Sequence, residues 1–466
     1  EYSQAIKILT EIKKVSDNDK ERVNIRLARN LIASGQVDRG QQLIMAILQA
    51  NQNSPDGLIE YANVLYDRGI YQEAIKVYLR ALILQSENKD IRRKLALCAK
   101  KPNGVSLLKT ELQEASSPST FAFLALIFKD FGALDQSEEL FKDAADGIPT
   151  SATYSLNYIH VLEIQVKYQA AFKSICKFLR ENRKLSLPHS NGNGSSNCGD
   201  ILNILEGISD VFGELTSREN FNGESKPFDS VYKSSDKKMP HQLSNDELDL
   251  LALFFTVVKV LYVTGNLKAA SEIIKIVEQI RQGKELHLTT IRNEHAYYCA
   301  IAQLLPFISF PLPSYEPLYM IGDSHTLSAS WQTVTINDKQ RLTIPKLVTG
   351  CKMWHLREES YFFPKENFYN TIETIPEGSD VVFLFGEIDC REGILLAVEQ
   401  CKYTNVEEGI EHTLDIYMKV LKDLKRTKKY RIFVHPVVPV LNETRNMVKQ
   451  FNIALEKRCN SSDDVT

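Results

Sequence analysis

The stretch "LIEYANVLYDRGIYQEAIKVYLRALIL" fills residues 58–84 and sets small residues among large ones at fixed intervals. Ala62, Gly69, Tyr71, Ala74, Tyr78 and Ala81 follow one another at spacings of 7, 2, 3, 4 and 3. Two antiparallel helices explain the pattern. Ala62 and Ala74 let their backbones approach, Gly69 ends the first helix, and Tyr71 and Tyr78 fill the groove between neighbouring pairs.

The pattern recurs. At 34 residues upstream, "LARNLIASGQVDRGQQLIMAIL" puts Ala28 and Gly35 in register with Ala62 and Gly69. Downstream, "FAFLALIFKDFGALDQSEELFKDAADGIP" supplies Ala125, Gly132, Phe141 and Ala144, with Pro149 where the helix must stop. "YIHVLEIQVKYQAAFKSICKFL" then gives Tyr168 and Ala171, with Val166 where the glycine stood. The pattern degenerates at 89–117, around "CAKKPNGVSLLKTEL", and resumes at 248–282 around Gly265, Ala269 and Ala270. "IRNEHAYYCAIAQLL" (291–305) reads as a closing helix. This array, about 24–305, resembles the tetratricopeptide repeat. The resemblance implies an α-solenoid whose groove takes a peptide or protein partner, or serves as a spacer or dimerisation surface.

Residues 184–246 interrupt the array with a different composition. "LPHSNGNGSSNCGD" is rich in Ser, Asn and Gly, and "SRENFNGESKPFDSVYKSSDKKMPHQLSND" has few aliphatics. Such segments bury too little apolar area to offset their ordering entropy, so the insertion is expected to be largely disordered. "ILNILEGISDVFGEL" between them reads as one short helix. The expected domains are therefore repeats at 1–183, the insertion at 184–246, further repeats at 247–310, and a different domain at 311–466.

Composition narrows the function classes. The chain has 25% charged residues and a net charge of −3, which favours neither nucleic acid nor an anionic membrane surface. The longest apolar run, "LDLLALFFTVVKVLYV" (248–263), carries Asp249 and Lys259 and reads as a buried helix rather than a membrane span. The eight cysteines are scattered, with no Cys-x-x-Cys pair and no histidine at zinc spacing, so neither a disulfide framework nor a metal site is expected. Reduced thiols imply a cytoplasmic or nuclear setting. No cofactor motif is present. The chain starts at Glu1 and ends in "CNSSDDVT", both of which read as cut ends.

After "FPLPSYEP" the period changes. "LYMIG" (318–322), "DVVFLFG" (380–386) and "RIFVHPVVP" (431–439) are short apolar runs that suit buried parallel strands, and "QRLTIPKLVTG" (340–350) offers another. "VEEGIEHTLDIYMKVLKDLKRT" (406–427) is an amphipathic helix between the last two runs. Strand, helix, strand points to an open α/β sheet, whose chemistry collects at the carboxyl ends of its strands. Three runs exit there into polar residues: Gly322-Asp323-Ser324-His325, Gly386-Glu387-Ile388-Asp389-Cys390-Arg391, and His435-Pro436.

Residues 311–466 thereby resemble the SGNH (GDSL-like) hydrolases, esterases and acyl hydrolases with a flavodoxin-like sheet between helical layers. The resemblance implies a serine esterase acting on an acylated carbohydrate or protein, with Ser324 as nucleophile beside Asp323. It places oxyanion donors at the Ser324 amide and Gly350, and matches Gly386 and Asp389 to the family's third block. Ile388 replaces that block's asparagine donor, a loss worth on the order of 100-fold in rate. The family's Asp-x-x-His block does not occur after residue 440. Either it lies beyond Thr466, or the domain lacks its base and the chain is a non-catalytic scaffold. "NETRNMVKQFNIALEKRC" (442–459) reads as the helix preceding that block.

The remaining polar residues keep two readings each. His325 is adjacent to Ser324, and neighbouring side chains point apart, so it reads as a poor partner for the serine; it either faces the pocket and binds substrate or caps its turn. His435 either enters the same crevice or is structural, and His355 has a slighter claim. Asp389 and Arg391 either orient a substrate carboxylate or pair with each other, and Glu387 is similar. Cys390 beside Arg391 is either a thiol of lowered pKa or packing.

Overall fold

The tight turns of the repeats require left-handed backbone at one position each, and Gly35, Gly69, Gly132 and Gly265 adopt it at φ of 86°, 76°, 67° and 84°. Val166 takes the same conformation at φ 58° although it carries a branched side chain. The computed structural model describes residues 2–15, 20–186, 197–210, 212–213, 243–308, 312–438 and 442–462. It divides into two compact units, Glu1–Ala144 and Ala145–Thr466.

The first unit is built of helices α1 (Tyr2–Val15), α2 (Lys20–Ala33), α3 (Val37–Ala50), α4 (Pro55–Asp67), α5 (Tyr71–Leu84), α6 (Lys89–Ala99), α7 (Gly104–Leu112), α8 (Pro118–Asp130) and most of α9 (Leu134–Gly147). They pair as the sequence spacing predicts. Ala28, Ala62, Ala74 and Ala125 are fully buried at the crossings. At the position of Ala74 the next pairs carry Gly40, whose added Cβ would lie 2.5 Å from Ile32, and Ser137, whose hydroxyl donates to the Ala125 carbonyl at 2.8 Å. The degenerate stretch is helical too: α6 and α7 are one more pair with a short connection. Ser54 and Ser117 cap α4 and α8 by accepting from backbone amides of the first turn.

The second unit begins with α10 (Ala152–Ile164), α11 (Tyr168–Glu181), α12 (Cys198–Glu206), α13 (Asn245–Val263), α14 (Leu267–Arg281) and α15 (Arg292–Leu304). Helix α12 corrects the reading of the insertion. The residues read as linker, "NCGD", start this helix: Asn197 caps it and Asp200 accepts from the Asn197 amide in a capping box. Cys198, Ile201, Leu202 and Leu205 are fully buried against α11 and α14. Residues 187–196 and 214–242 of the insertion lie outside the described residues. Helix α13 is buried along nearly its whole length, and no helix among the described residues is long and apolar enough to cross a membrane.

The rest of this unit holds β1 (Glu316–Gly322), β2 (Thr333–Ile336), β3 (Lys339–Leu347), α16 (Phe363–Glu373), β4 (Asp380–Leu384), α17 (Ile394–Glu399), α18 (Val406–Lys428), β5 (Arg431–Val434) and α19 (Arg445–Asn460). The sheet order is β2-β3-β1-β4-β5. Strands β3, β1, β4 and β5 are parallel, and β2 is an antiparallel edge strand joined to β3 through Asn337 and Asp338, both at positive φ. That hairpin and helix α16 are absent from the sequence reading. Gly322 stands level with Leu347 on one side and Leu384 on the other, so three strands end at one rim. Helices α18 and α19 bury Leu414, Tyr417, Leu421 and Phe451 against Ile321, Val381 and Phe383. On the other side, Leu342, Leu347 and Trp331 join the apolar core of α13 and α15.

Candidate active site

The turn after β1 is built by close approach. A Cβ at Gly322 would lie 2.2 Å from the Leu384 carbonyl, so only glycine lets β1 and β4 end side by side here. The chain then winds into a short 3-10 helix, Ser324–Ala329, capped by Asp323. Two bonds to α13 fix its far end: Tyr262 Oη donates to the Leu327 carbonyl at 3.1 Å, and Trp331 Nε1 donates to the Tyr262 carbonyl at 3.0 Å.

Asp323 is 1% exposed, and its Oδ1 accepts from the His325 amide at 3.0 Å and pairs with His325 Nδ1 at 2.8 Å. That contact, with the nearby Glu387 carboxylate, raises the His325 pKa above the ordinary histidine value, against a smaller lowering by burial. His325 therefore donates its amide to the Asp323 cap and presents its ring at the rim. Glu387, 5% exposed, follows β4 and accepts from Arg391 Nε at 2.8 Å, while Arg391 also pairs with Glu392. The Asp389–Arg391 pair, one of the two readings of those residues, is not formed: one helical turn separates Glu387 from Arg391 and brings those two together instead.

Asp389 is buried for a different purpose. Its Oδ2 accepts from the Met353 amide at 2.8 Å and its Oδ1 from the Trp354 amide at 3.1 Å. Burial pushes its pKa up to about 6, opposed by those two amides. Both oxygens are spent on holding the loop 353–356 against the start of a π-helical turn, Asp389–Gly393. Ser324 and Asp389 do leave adjoining strands at one rim, but the carboxylate is turned into backbone.

Ser324 has a neighbour on the helical side. Tyr297, on α15, is buried close to the side chains of Ser324 and Thr349, and burial raises its pKa. Behind Tyr297 stands a polar set buried among the helices: Lys259 Nζ lies 5.1 Å from the Tyr297 ring centroid and 3.0 Å from Glu163 Oε1, with side-chain exposures of 9% and 11% for the pair. Sequence reading missed Tyr297, Thr349 and Glu163, because none belongs to a motif. The one available signal was a lysine, Lys259, inside the longest apolar run of the sequence.

The other residues singled out by sequence fall as follows. Gly350 follows Thr349 at φ 65°, in the loop whose Val348 amide donates to the Gly322 carbonyl at 2.8 Å, and so adjoins the β1 exit. Gly386 is packed against Val437, Met353 and Phe451. His435 follows β5, is exposed, and its Nδ1 meets the Pro436 carbonyl at 2.7 Å, which ties it to its own turn. The His355 Nδ1 accepts from the Lys352 amide, and burial lowers its pKa to about 4. Cys390 is fully buried, and burial raises its pKa, so a thiol of lowered pKa is ruled out there. The spacing of the sequence pointed to no metal site, yet ligand atoms of Asp323, His325 and Glu387 lie within 4.8 Å of one another. Among the described residues those three could hold a cation, in competition with the Arg391 bond to Glu387.

No family model matches the chain, and no curated protein matches it. Solved structures do. The chain is similar to YrrB, "a TPR protein with an unusual peptide-binding site", at 18% identity over 37% of this chain and 91% of that one, with a TM-score of 0.22. A tetratricopeptide repeat protein from Parabacteroides merdae matches at 13% identity over 64% and 92%, TM-score 0.22. The pilF protein of Pseudomonas aeruginosa matches at 14% over 57% and 94%, TM-score 0.19. The first two of these are tetratricopeptide repeat proteins, and the repeat assignment itself rests on the helix pairs described above.

Proposed function

We propose that the rim hydrolyses an acyl ester, in the manner of the SGNH (GDSL-like) hydrolases, and that the helical repeats recruit the protein or carbohydrate that carries it. The observation that carries this reading is the Asp323–His325 contact at 2.8 Å beside Ser324. A carboxylate on Nδ1 fixes the imidazole tautomer and leaves Nε2 to take a proton, and the reading assigns His325 the role that the histidine of the Asp-x-x-His block has in that family. Ser324 Oγ then attacks the ester carbonyl, and the amides of Ser324 and the Thr349–Gly350 loop hold the oxyanion. His325 returns the proton to the leaving alkoxide, and water attacking the acyl-serine completes the cycle. Because His325 holds its proton above the usual histidine range, the acid limb of the rate profile is expected above that range.

Hydrolysis of short p-nitrophenyl esters and labelling by a fluorophosphonate probe test the reading. Ser324→Ala is expected to abolish labelling and to lower the rate at least about 100-fold, and His325→Gln to lower it comparably. Equal rates before and after Ser324→Ala, with no labelled serine, would reject it. A second reading, a non-catalytic adaptor, is favoured by Ile388 in place of an amide donor and by Asp389 being consumed by the Met353 and Trp354 amides.

A further inference from the structure

A second cavity lies away from the rim. It measures about 570 Å³ and lies between β1, β3, α16 and the turns that end α10 and α13, and none of Asp323, Ser324, His325 and Glu387 lines it. That volume is within the range of sites for small organic ligands, roughly 300–1,000 Å³. Its walls are largely aromatic and aliphatic: Tyr168, Trp331, Leu342 and Ile344, with Tyr319 on β1.

At one end stands a cation. Lys346 Nζ donates to Thr374 Oγ1 at 2.9 Å and lies 5.5 Å from the Tyr319 ring centroid. Thr374 Oγ1 in turn donates to the Thr371 carbonyl at 2.7 Å. An ammonium has three donors, and Thr374 takes one. No carboxylate among the described residues pairs with it. Burial pushes the Lys346 pKa down to about 8, and no acid opposes that shift. Lys346 is half-buried and its bond to Thr374 is open to solvent. Its two remaining donors can therefore exchange water for an anionic head at the end of an apolar-walled cavity.

We propose that this cavity binds a small amphipathic carboxylate, its apolar body against Ile344, Leu342 and Trp331 and its head on the Lys346 ammonium. The site is separate from the rim and does not depend on hydrolysis there.

The test uses the full chain and the fluorescent fatty acid 11-(dansylamino)undecanoic acid, displaced by dodecanoate. Saturable binding at one molecule per chain is expected, with dodecanoate displacing the probe and dodecanol doing so at least about 10-fold less well. Lys346→Met is expected to raise the dissociation constant about 10- to 100-fold, the weight of a charge-assisted hydrogen bond, and Lys346→Arg far less. Ile344→Trp, which fills the cavity, is expected to remove binding. Thermal unfolding of each variant shows whether it is folded. Absence of saturable binding, or equal affinity in Lys346→Met, overturns the proposal, as does wild-type affinity in Ile344→Trp. Binding that appears only when residues 214–242 are deleted would overturn it too, assigning the cavity to the chain's own insertion.

Discussion

The repeats of the first unit and those of the second share one pattern and differ in what they enclose. In the first, Ala28, Ile44 and Val64 form an apolar seam, and ion pairs such as Arg68–Asp38, Lys109–Glu139 and Lys109–Asp143 sit at the surface. Its buried acid, Glu60, meets an Arg29 that is half exposed. In the second, helices of the same spacing enclose Glu163 and Lys259, the His160–Thr256 contact, and Tyr297 close to Ser324. The small-residue pattern dictates how helices cross. Interior polarity marks the helices that also support another structure.

Breaking the buried pair should therefore separate the two units most strongly. Glu163→Gln leaves Lys259 charged in an apolar helix, and a loss of about 3–5 kcal/mol is expected in the second unit. Replacing both, Glu163→Gln with Lys259→Met, should recover most of that loss. Arg29→Ala in the first unit should cost about 1 kcal/mol or less, its partner being solvated. Peptide-resolved hydrogen exchange in denaturant assigns each loss to its unit. A cost for Glu163→Gln as small as for Arg29→Ala would erase the distinction.

Acid should distinguish them next. All nine histidines lie beyond residue 144. Burial lowers His295 and His355 from 6.5 to about 4 each. Between those values the unfolded chain binds protons that the folded chain refuses, so stability is lost as pH falls through 6.5 towards 4. A loss on the order of 1–3 kcal/mol per histidine is expected in the second unit. His325 has the opposite sign: its raised pKa stabilises the fold below the ordinary histidine value, and that contribution disappears as pH rises through the folded value. The first unit should show neither histidine response. Exchange protection measured at pH 7 and pH 4.5 reads both units in one experiment, and His355→Gln should remove its share of the acid loss.

Much of this contrast was legible in the sequence, unevenly. The crossings at Ala28, Ala62 and Ala125 follow from local spacing, because the helix that places them needs no distant partner. Strands β1, β3, β4 and β5 were legible because buried parallel strands are continuous apolar runs. The β2–β3 hairpin was not, since "TVTINDKQRL" alternates weakly and its turn uses Asn337 and Asp338 without glycine. At the rim, the exits after β1 and β4 were legible as motifs, but pairing was not. That Asp389 faces amides 35 and 36 residues away, and that Ser324 faces Tyr297, are facts of tertiary contact. No spacing rule reaches them.

The turn at Val166 offers the smallest and most local test of the shared pattern. Four other repeat turns spend a glycine on left-handed backbone, while this one holds a β-branched residue there at φ 58°. Such a conformation costs roughly 1–2 kcal/mol for an L residue. Glycine removes that strain but gives the unfolded chain more freedom and gives up the half-buried side chain's contacts at the cavity edge. The first term is the larger, so Val166→Gly should stabilise the second unit by about 0.5–1 kcal/mol in denaturant titration. Gly69→Val, the reverse exchange in the first unit, should destabilise by about 1–2 kcal/mol, because nothing lies within 4 Å of an added Cβ to repay the strain. If Val166→Gly instead destabilises, the side chain is being held for its contacts at the cavity mouth, and the turn has been shaped by what binds beside it rather than by the repeat.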